Sequence, residues 1–132
     1  MGQDEDDSMD YKILAEKFKD EGNAAFQSGT TEGLLLSIEM YSKAIETDPD
    51  NHIYYSNRSA SHLKNDSKSK ALWDAEKCVE LAPNWAKGYS RLGAGEFLYI
   101  MKVFANFILS VLLPLLLLFF IKFCSAAIFE AI

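Results

Sequence analysis

Pro49 and Pro83 stand 34 residues apart, and the same offset joins Tyr55 to Tyr89 and Ser56 to Ser90. Like residues at one fixed offset, each at the same place in successive segments, mark an internal repeat. Each segment reads as two helices joined by a turn. One such hairpin cannot bury its own apolar face, so successive hairpins must stack and share a core. The repeat therefore restricts the chain to an all-α fold: antiparallel helical hairpins stacked as a solenoid of about two and a half repeats. A long apolar C-terminal helix follows them.

The punctuation along the chain supports this order. A first helix is predicted from Asp10, its N-cap, with Ile13, Leu14, Phe18, Ala25 and Phe26 at helical spacings. Gly22 lies inside it with no capping role, which points to close approach of another helix. Ser28-Gly29-Thr30-Thr31 ends that run, and a second helix is predicted from Glu32 to Thr47, closed by Asp48-Pro49-Asp50-Asn51. A third follows from His52 to Lys64. Asn65-Asp66-Ser67 supplies a turn and an N-cap for a fourth, from Lys68 to Leu81. Small residues at Ala44, Ala71 and Ala75 let neighbouring helices approach. Trp73 and Trp85 are expected in the core or between repeats.

Charge divides the chain where the repeat ends. Residues 1–96 carry 11 Lys and Arg against 18 Asp and Glu, whereas residues 97–132 carry only Lys102, Lys122 and Glu130. An acidic balance argues against nucleic acid as a partner, because phosphate binding needs a basic face. Residues 1–9, with the run Asp4-Glu5-Asp6-Asp7, read as an acidic disordered N-terminus. No apolar signal-peptide core follows Met1. Cys78 and Cys124 read as small apolar residues in a reducing compartment. His52 and His62 have no ligand partners in register, so neither a metal nor another cofactor is expected. No nucleophile–base pair or phosphate loop stands out, and the chain reads as non-enzymatic.

A 34-residue helical hairpin ending in Pro resembles the tetratricopeptide repeat. The first repeat resembles it through Gly22, Ala25, Tyr41, Ala44 and Pro49, the second through Tyr55, Ala71, Ala75 and Pro83, and a third begins at Tyr89 and Gly93. The first repeat is three residues longer than the family's pattern, an insertion placed within Thr30–Leu36. The third has no second helix of repeat type after Glu96. Three stretches narrow the resemblance to the carboxylate-clamp domains of Hop/Sti-type co-chaperones, over about Tyr11 to Gly93. They are Lys19-Asp20-Glu21-Gly22-Asn23, Tyr55-Ser56-Asn57-Arg58-Ser59-Ala60 and Lys87-Gly88-Tyr89-Ser90-Arg91. The resemblance implies that Lys19, Asn23, Asn57, Lys87 and Arg91 hold the carboxylates of a peptide ending in Glu-Glu-Val-Asp. It also implies that Phe26, Ala60, Leu63 and Lys64 touch residues upstream in that peptide. The implied partners are the C-terminal tails of the 70- and 90-kilodalton heat-shock chaperones.

The spacing makes chemical sense by itself. Lys19 and Asn23 are four apart and share a helix face, as do Lys87 and Arg91. Asn57 and Arg91 are 34 apart, so they take the same position in successive repeats. Three cations and two amides thus face one groove, enough for the two carboxylates of an acidic chain end.

Val103 to Ile121 is a run of 19 residues without charge, bracketed by Lys102 and Lys122. At ~1.5 Å per residue it spans roughly 28 Å, close to the ~30 Å hydrocarbon core of a bilayer. Pro114 is expected to kink it, which membrane helices tolerate. Two readings of residues 97–132 stay open. One is a tail anchor that leaves the clamp domain on the cytosolic face of a membrane. The other is an aberrant end to a longer co-chaperone, from a shifted or read-through frame. A self-associating scaffold with an idle groove is the functional alternative to the adaptor.

Overall fold

The computed structural model describes residues 4–130. Its helices are α1 (Asp4–Gln27), α2 (Thr31–Thr47), α3 (His52–Lys64), α4 (Lys68–Leu81), α5 (Ala86–Phe107) and α6 (Leu113–Glu130), with a π-helical turn at Ile108–Leu112. No strand occurs among the described residues. The chain divides into two compact units, one ending at Phe97 and one starting at Leu98.

In the first unit α1 pairs with α2 and α3 with α4, while α2 packs on α3 and α1 reaches α3. Local chemistry fixes the ends of these helices. The Thr30 hydroxyl accepts from the Gly33 N–H at 3.0 Å and starts α2; Asn51 Oδ1 accepts from the Ile53 N–H at 3.1 Å and starts α3. Ser67 occupies the N-cap position of α4 but makes no capping hydrogen bond, contrary to expectation. The preceding Asp66 has φ of 55°, and this left-handed residue turns the chain into α4.

Small residues and tyrosines build the core. Ala15, Ala44 and Tyr54 form its centre, with Phe18 and Ile45 packed against them. Ala71, Ala75 and Cys78 are equally buried on α4, and Cys78 is a free thiol. Gly22 does admit another helix: a Cβ there would stand 2.7 Å from the Tyr41 ring of α2. Gly88 plays the same part for α5, where a Cβ would meet Val79 at 3.3 Å and Cys78 Sγ at 3.4 Å. Burying a side chain such as Tyr41 or Tyr54 contributes about 1.5–3 kcal/mol each.

Three expectations need correction. The acidic segment expected to be disordered is helical from Asp4; residues 1–3 lie outside the described residues. The three-residue insertion, which the turn tip was expected to absorb, lengthens a helix, since α2 has 17 residues and α4 has 14. Trp73 lies outside the core, 56 % exposed, with its ring centroid 6.4 Å from that of Tyr55. Trp85 packs between repeats as expected, edge-on to His52 with centroids 4.7 Å apart.

The second unit is apolar. Val103–Phe123 is 21 residues long with a mean hydropathy of 2.6, and none of its most apolar window is buried. The disturbance expected at Pro114 takes the form of the π turn just before it. Proline lacks an N–H and crowds the carbonyl four residues back, here that of Ser110. In the π turn the Leu113 N–H reaches back five residues to the Ile108 carbonyl, which loosens the ladder ahead of the ring.

Candidate functional site

The candidate residues occupy three helices, the first of each hairpin. On α1 and α3 the fold brings Asn23 and Asn57 together, with Asn57 Nδ2 donating to Asn23 Oδ1 at 3.3 Å. The Tyr41 hydroxyl donates to the same oxygen at 2.7 Å. Burial pushes the Tyr41 hydroxyl up to about 12, so it stays a donor at any neutral pH. Both hydrogen bonds fall on the carbonyl of Asn23, which fixes the amide's orientation and leaves its NH2 for another acceptor.

Lys19 lies one turn before Asn23 on α1, with its side chain 20 % exposed. Its ammonium pairs with Glu16 and lies 3.5 Å from Asp20. The hydrogen bond that Lys19 donates to Glu16 raises Lys19 above its ordinary value and holds Glu16 below the usual carboxylate range. The two shifts are opposite in direction, as a shared ion pair requires, since it favours the charged form of both partners. Glu16 is itself held from α3, where the Tyr54 hydroxyl donates to Oε1 at 2.9 Å.

Further along the same two helices, Lys64 Nζ sits 4.2 Å from the centroid of the Phe26 ring. That is cation–π range, so these two candidates meet. Ala60 and Leu63 are half-buried on α3 between Asn57 and that contact.

Lys87 and Arg91 lie one turn apart on α5. No hydrogen bond or ion pair joins either of them to Lys19, Asn23 or Asn57 among the described residues. Lys87 is exposed, its Nζ 5.8 Å from the Trp85 ring centroid. Arg91 is half-buried, and its Nε is buried without a hydrogen-bond partner. The Arg91 charge lies close enough to Cys78 to oppose the upward push that burial exerts on that thiol.

Two networks were not anticipated from the sequence. The Glu16–Lys19 pair has the three-residue spacing that makes neighbours on a helix, and that spacing could have revealed it. The other involves Asp74 of α4, 1 % exposed, which accepts two hydrogen bonds from Arg58 of α3, from Nε at 2.9 Å and Nη2 at 2.8 Å. Arg58 Nη1 also donates to Ser42 Oγ of α2 at 2.9 Å. His62 Nε2 stands 3.8 Å from Asp74, and burial holds this imidazole below its ordinary value. Arg58 and Asp74 bind α2, α3 and α4 together, and they serve the architecture instead of the groove.

No protein-family model matches the chain. A curated relative, the Hsp70-Hsp90 organizing protein of Triticum aestivum, is 52 % identical over 83 residues, covering 63 % of this chain and 14 % of that protein. The chain spans only 13–14 % of the length of its Hop/Sti-type relatives. Among solved structures, the TPR2B domain of yeast Sti1 in complex with an Hsp70 peptide superposes with a TM-score of 0.62 at 26 % identity, covering 71 % of each chain. The first TPR of Spaghetti (RPAP3), bound to the HSP90 peptide SRMEEVD, gives 0.61 at 29 % identity, covering 65 % of this chain and 68 % of that one. Sequence and fold agree on the hairpin unit: its fold is that of tetratricopeptide-repeat domains, and its sequence is similar to those of Hop/Sti-type co-chaperones.

Proposed function

We propose that the chain is a non-enzymatic adaptor that binds the acidic C-terminal tails of 70- and 90-kilodalton heat-shock chaperones through a carboxylate clamp. Lys19, Asn23, Asn57, Lys87 and Arg91 are its five ligands, with Phe26, Ala60, Leu63 and Lys64 beside it. The carrying observation is the Asn23–Asn57 pair. It couples α1 to α3 across one repeat and leaves the Asn23 NH2 unused by either bond, one helical turn beyond Lys19. Arg91 supports the same reading, because a buried donor without a partner costs about 1–3 kcal/mol, and a carboxylate would satisfy it. The relatives whose structures contain chaperone peptides agree with this choice of ligand.

Charge-assisted hydrogen bonds of this kind contribute roughly 1.5–3 kcal/mol each, and a short peptide held by several binds near micromolar, about −8 kcal/mol. A peptide ending in Glu-Glu-Val-Asp is expected to bind at that strength. Amidating its C-terminus removes one carboxylate and weakens binding about tenfold or more. Equal affinity for the acid and the amide in a calorimetric titration excludes a carboxylate clamp.

A second reading concerns the tail. We infer that Val103–Phe123 spans a membrane and leaves the clamp on its cytosolic face. Its length, its mean hydropathy of 2.6 and the exposure of its apolar side chains support this. At membrane depth such a surface meets lipid, which needs no protein partner. Carbonate washing of membranes from cells expressing the full chain is expected to leave it in the pellet. Release into the supernatant removes the anchor and favours self-association through the same surface.

A further inference from the structure

We propose that Glu16 is an internal competitor at the clamp: it occupies Lys19 in the free protein and must share that ammonium with the incoming peptide carboxylate. The inference rests on the clamp reading above and names a residue that sets its strength. Glu16 lies one turn before Lys19 on α1, so the two share a face. Its Oε2 pairs with Lys19 while its Oε1 is tied to the hydroxyl of Tyr54, a residue 1 % exposed on α3. Anchored from both ends, this carboxylate is not a surface acid free to swing away. Asp20, 3.5 Å from the same ammonium, adds a second negative charge.

The consequence is electrostatic. The Lys19 side chain is 20 % exposed and that of Glu16 46 %, so the pair is partly withdrawn from water and its interaction is only moderately screened. A peptide carboxylate that reaches Lys19 comes within a few ångströms of Glu16, and two like charges then share one cation. Glu16 has an opposing virtue, since it holds Lys19 in one rotamer. A lysine ammonium needs less orientation than a guanidinium fork, because it acts as a compact point charge. Repulsion therefore outweighs preorganisation, and Glu16 lowers affinity.

Titrating the full chain in detergent micelles with a Glu-Glu-Val-Asp peptide at low salt tests this. Glu16→Gln keeps an acceptor for Tyr54 and removes the charge. It is expected to bind about fivefold more tightly than wild type, a gain that shrinks as salt is added. In a Lys19→Ala background the same substitution is expected to change nothing, because the competition has lost its object. Asp20→Asn leaves the Tyr54 bond untouched and is expected to give a smaller gain, about twofold. It serves as the readout should Glu16→Gln lose helicity. Wild-type binding with no gain, or a loss, in these variants overturns the competitor. Absence of wild-type binding is a different result and overturns the clamp itself.

Discussion

Lys87→Ala combined with Arg91→Ala is expected to weaken binding of a Glu-Glu-Val-Asp peptide by about 100- to 1,000-fold, the largest effect on recognition of any pair on α5. Arg91 supplies most of it. Its Nε is already buried, so no water competes for that donor, and truncating one partner of a desolvated charge pair costs about 2–5 kcal/mol. Lys87 is exposed and contributes less, chiefly through charge at the rim. The fold is expected to survive. The contacts between α4 and the start of α5 run through Gly88, which is unchanged, and Ala favours helix more than Lys or Arg does. Removing an unsatisfied buried Nε costs the free protein no hydrogen bond. Fluorescence anisotropy with a labelled peptide measures the loss, and unchanged far-ultraviolet circular dichroism separates it from unfolding. A double variant that binds like wild type excludes α5 from the site.

That last contingency is a physical one, because α5 has an unusual position in the repeat. In the first two hairpins each groove-lining helix has its own partner, α2 for α1 and α4 for α3. The sequence holds no second helix of repeat type for α5, which reaches α4 through the close approaches at Gly88 and Gly95. Gly88 is the tighter of the two: a Cβ there would crowd Val79 at 3.3 Å, whereas at Gly95 it would meet Leu72 at 3.5 Å, an ordinary contact.

The starts of α2, α3 and α4 were legible to within a residue, because helix ends are written in local chemistry. Pro, Gly, Asn and Thr stand at the junctions, and each acts within three residues of itself. Gly22 was legible for a similar reason, since an uncapped glycine inside a helix has few uses. The start of α1 was misread because acidic residues serve equally in a solvated tail and in a first helical turn. Trp73 was misread because its size suggests burial, whereas exposure depends on which side of α4 faces the next helix. At the site, the placing of Asn23 and Asn57 on the first helices of two successive repeats followed from the family resemblance. Which oxygen fills which amide did not, for Tyr41 comes from another helix, 18 residues further on. Glu16 was passed over because its spacing from Lys19 is also that of an ordinary solvent-exposed pair. Only the Tyr54 bond, 38 residues away, distinguishes it.

Asp74 shows the same limit at its most consequential, and Asp74→Ala is expected to be the most destabilising truncation in the hairpin unit. Asp74 is 1 % exposed and the Arg58 side chain 16 %, so the pair is largely withdrawn from water. Removing the carboxylate strands a guanidinium whose Nε and Nη2 then have no acceptor, while Nη1 keeps only the Ser42 hydroxyl. Breaking a buried pair in this way costs about 3–5 kcal/mol. A small domain has about 5–15 kcal/mol in all, and one built from two full hairpins and a further helix lies toward the lower end. Chemical denaturation followed by circular dichroism is expected to show a large fall in the midpoint. The loss reaches the groove as well, because Arg58 adjoins Asn57 on α3 and fixes that helix to α2 and α4. Replacing both partners with apolar residues, Arg58→Met with Asp74→Leu, leaves no stranded charge and is expected to recover most of the stability. If Asp74→Ala unfolds at the wild-type midpoint, the bidentate pair does not hold the three helices together, and the packing of Ala71, Ala75 and Tyr54 must suffice.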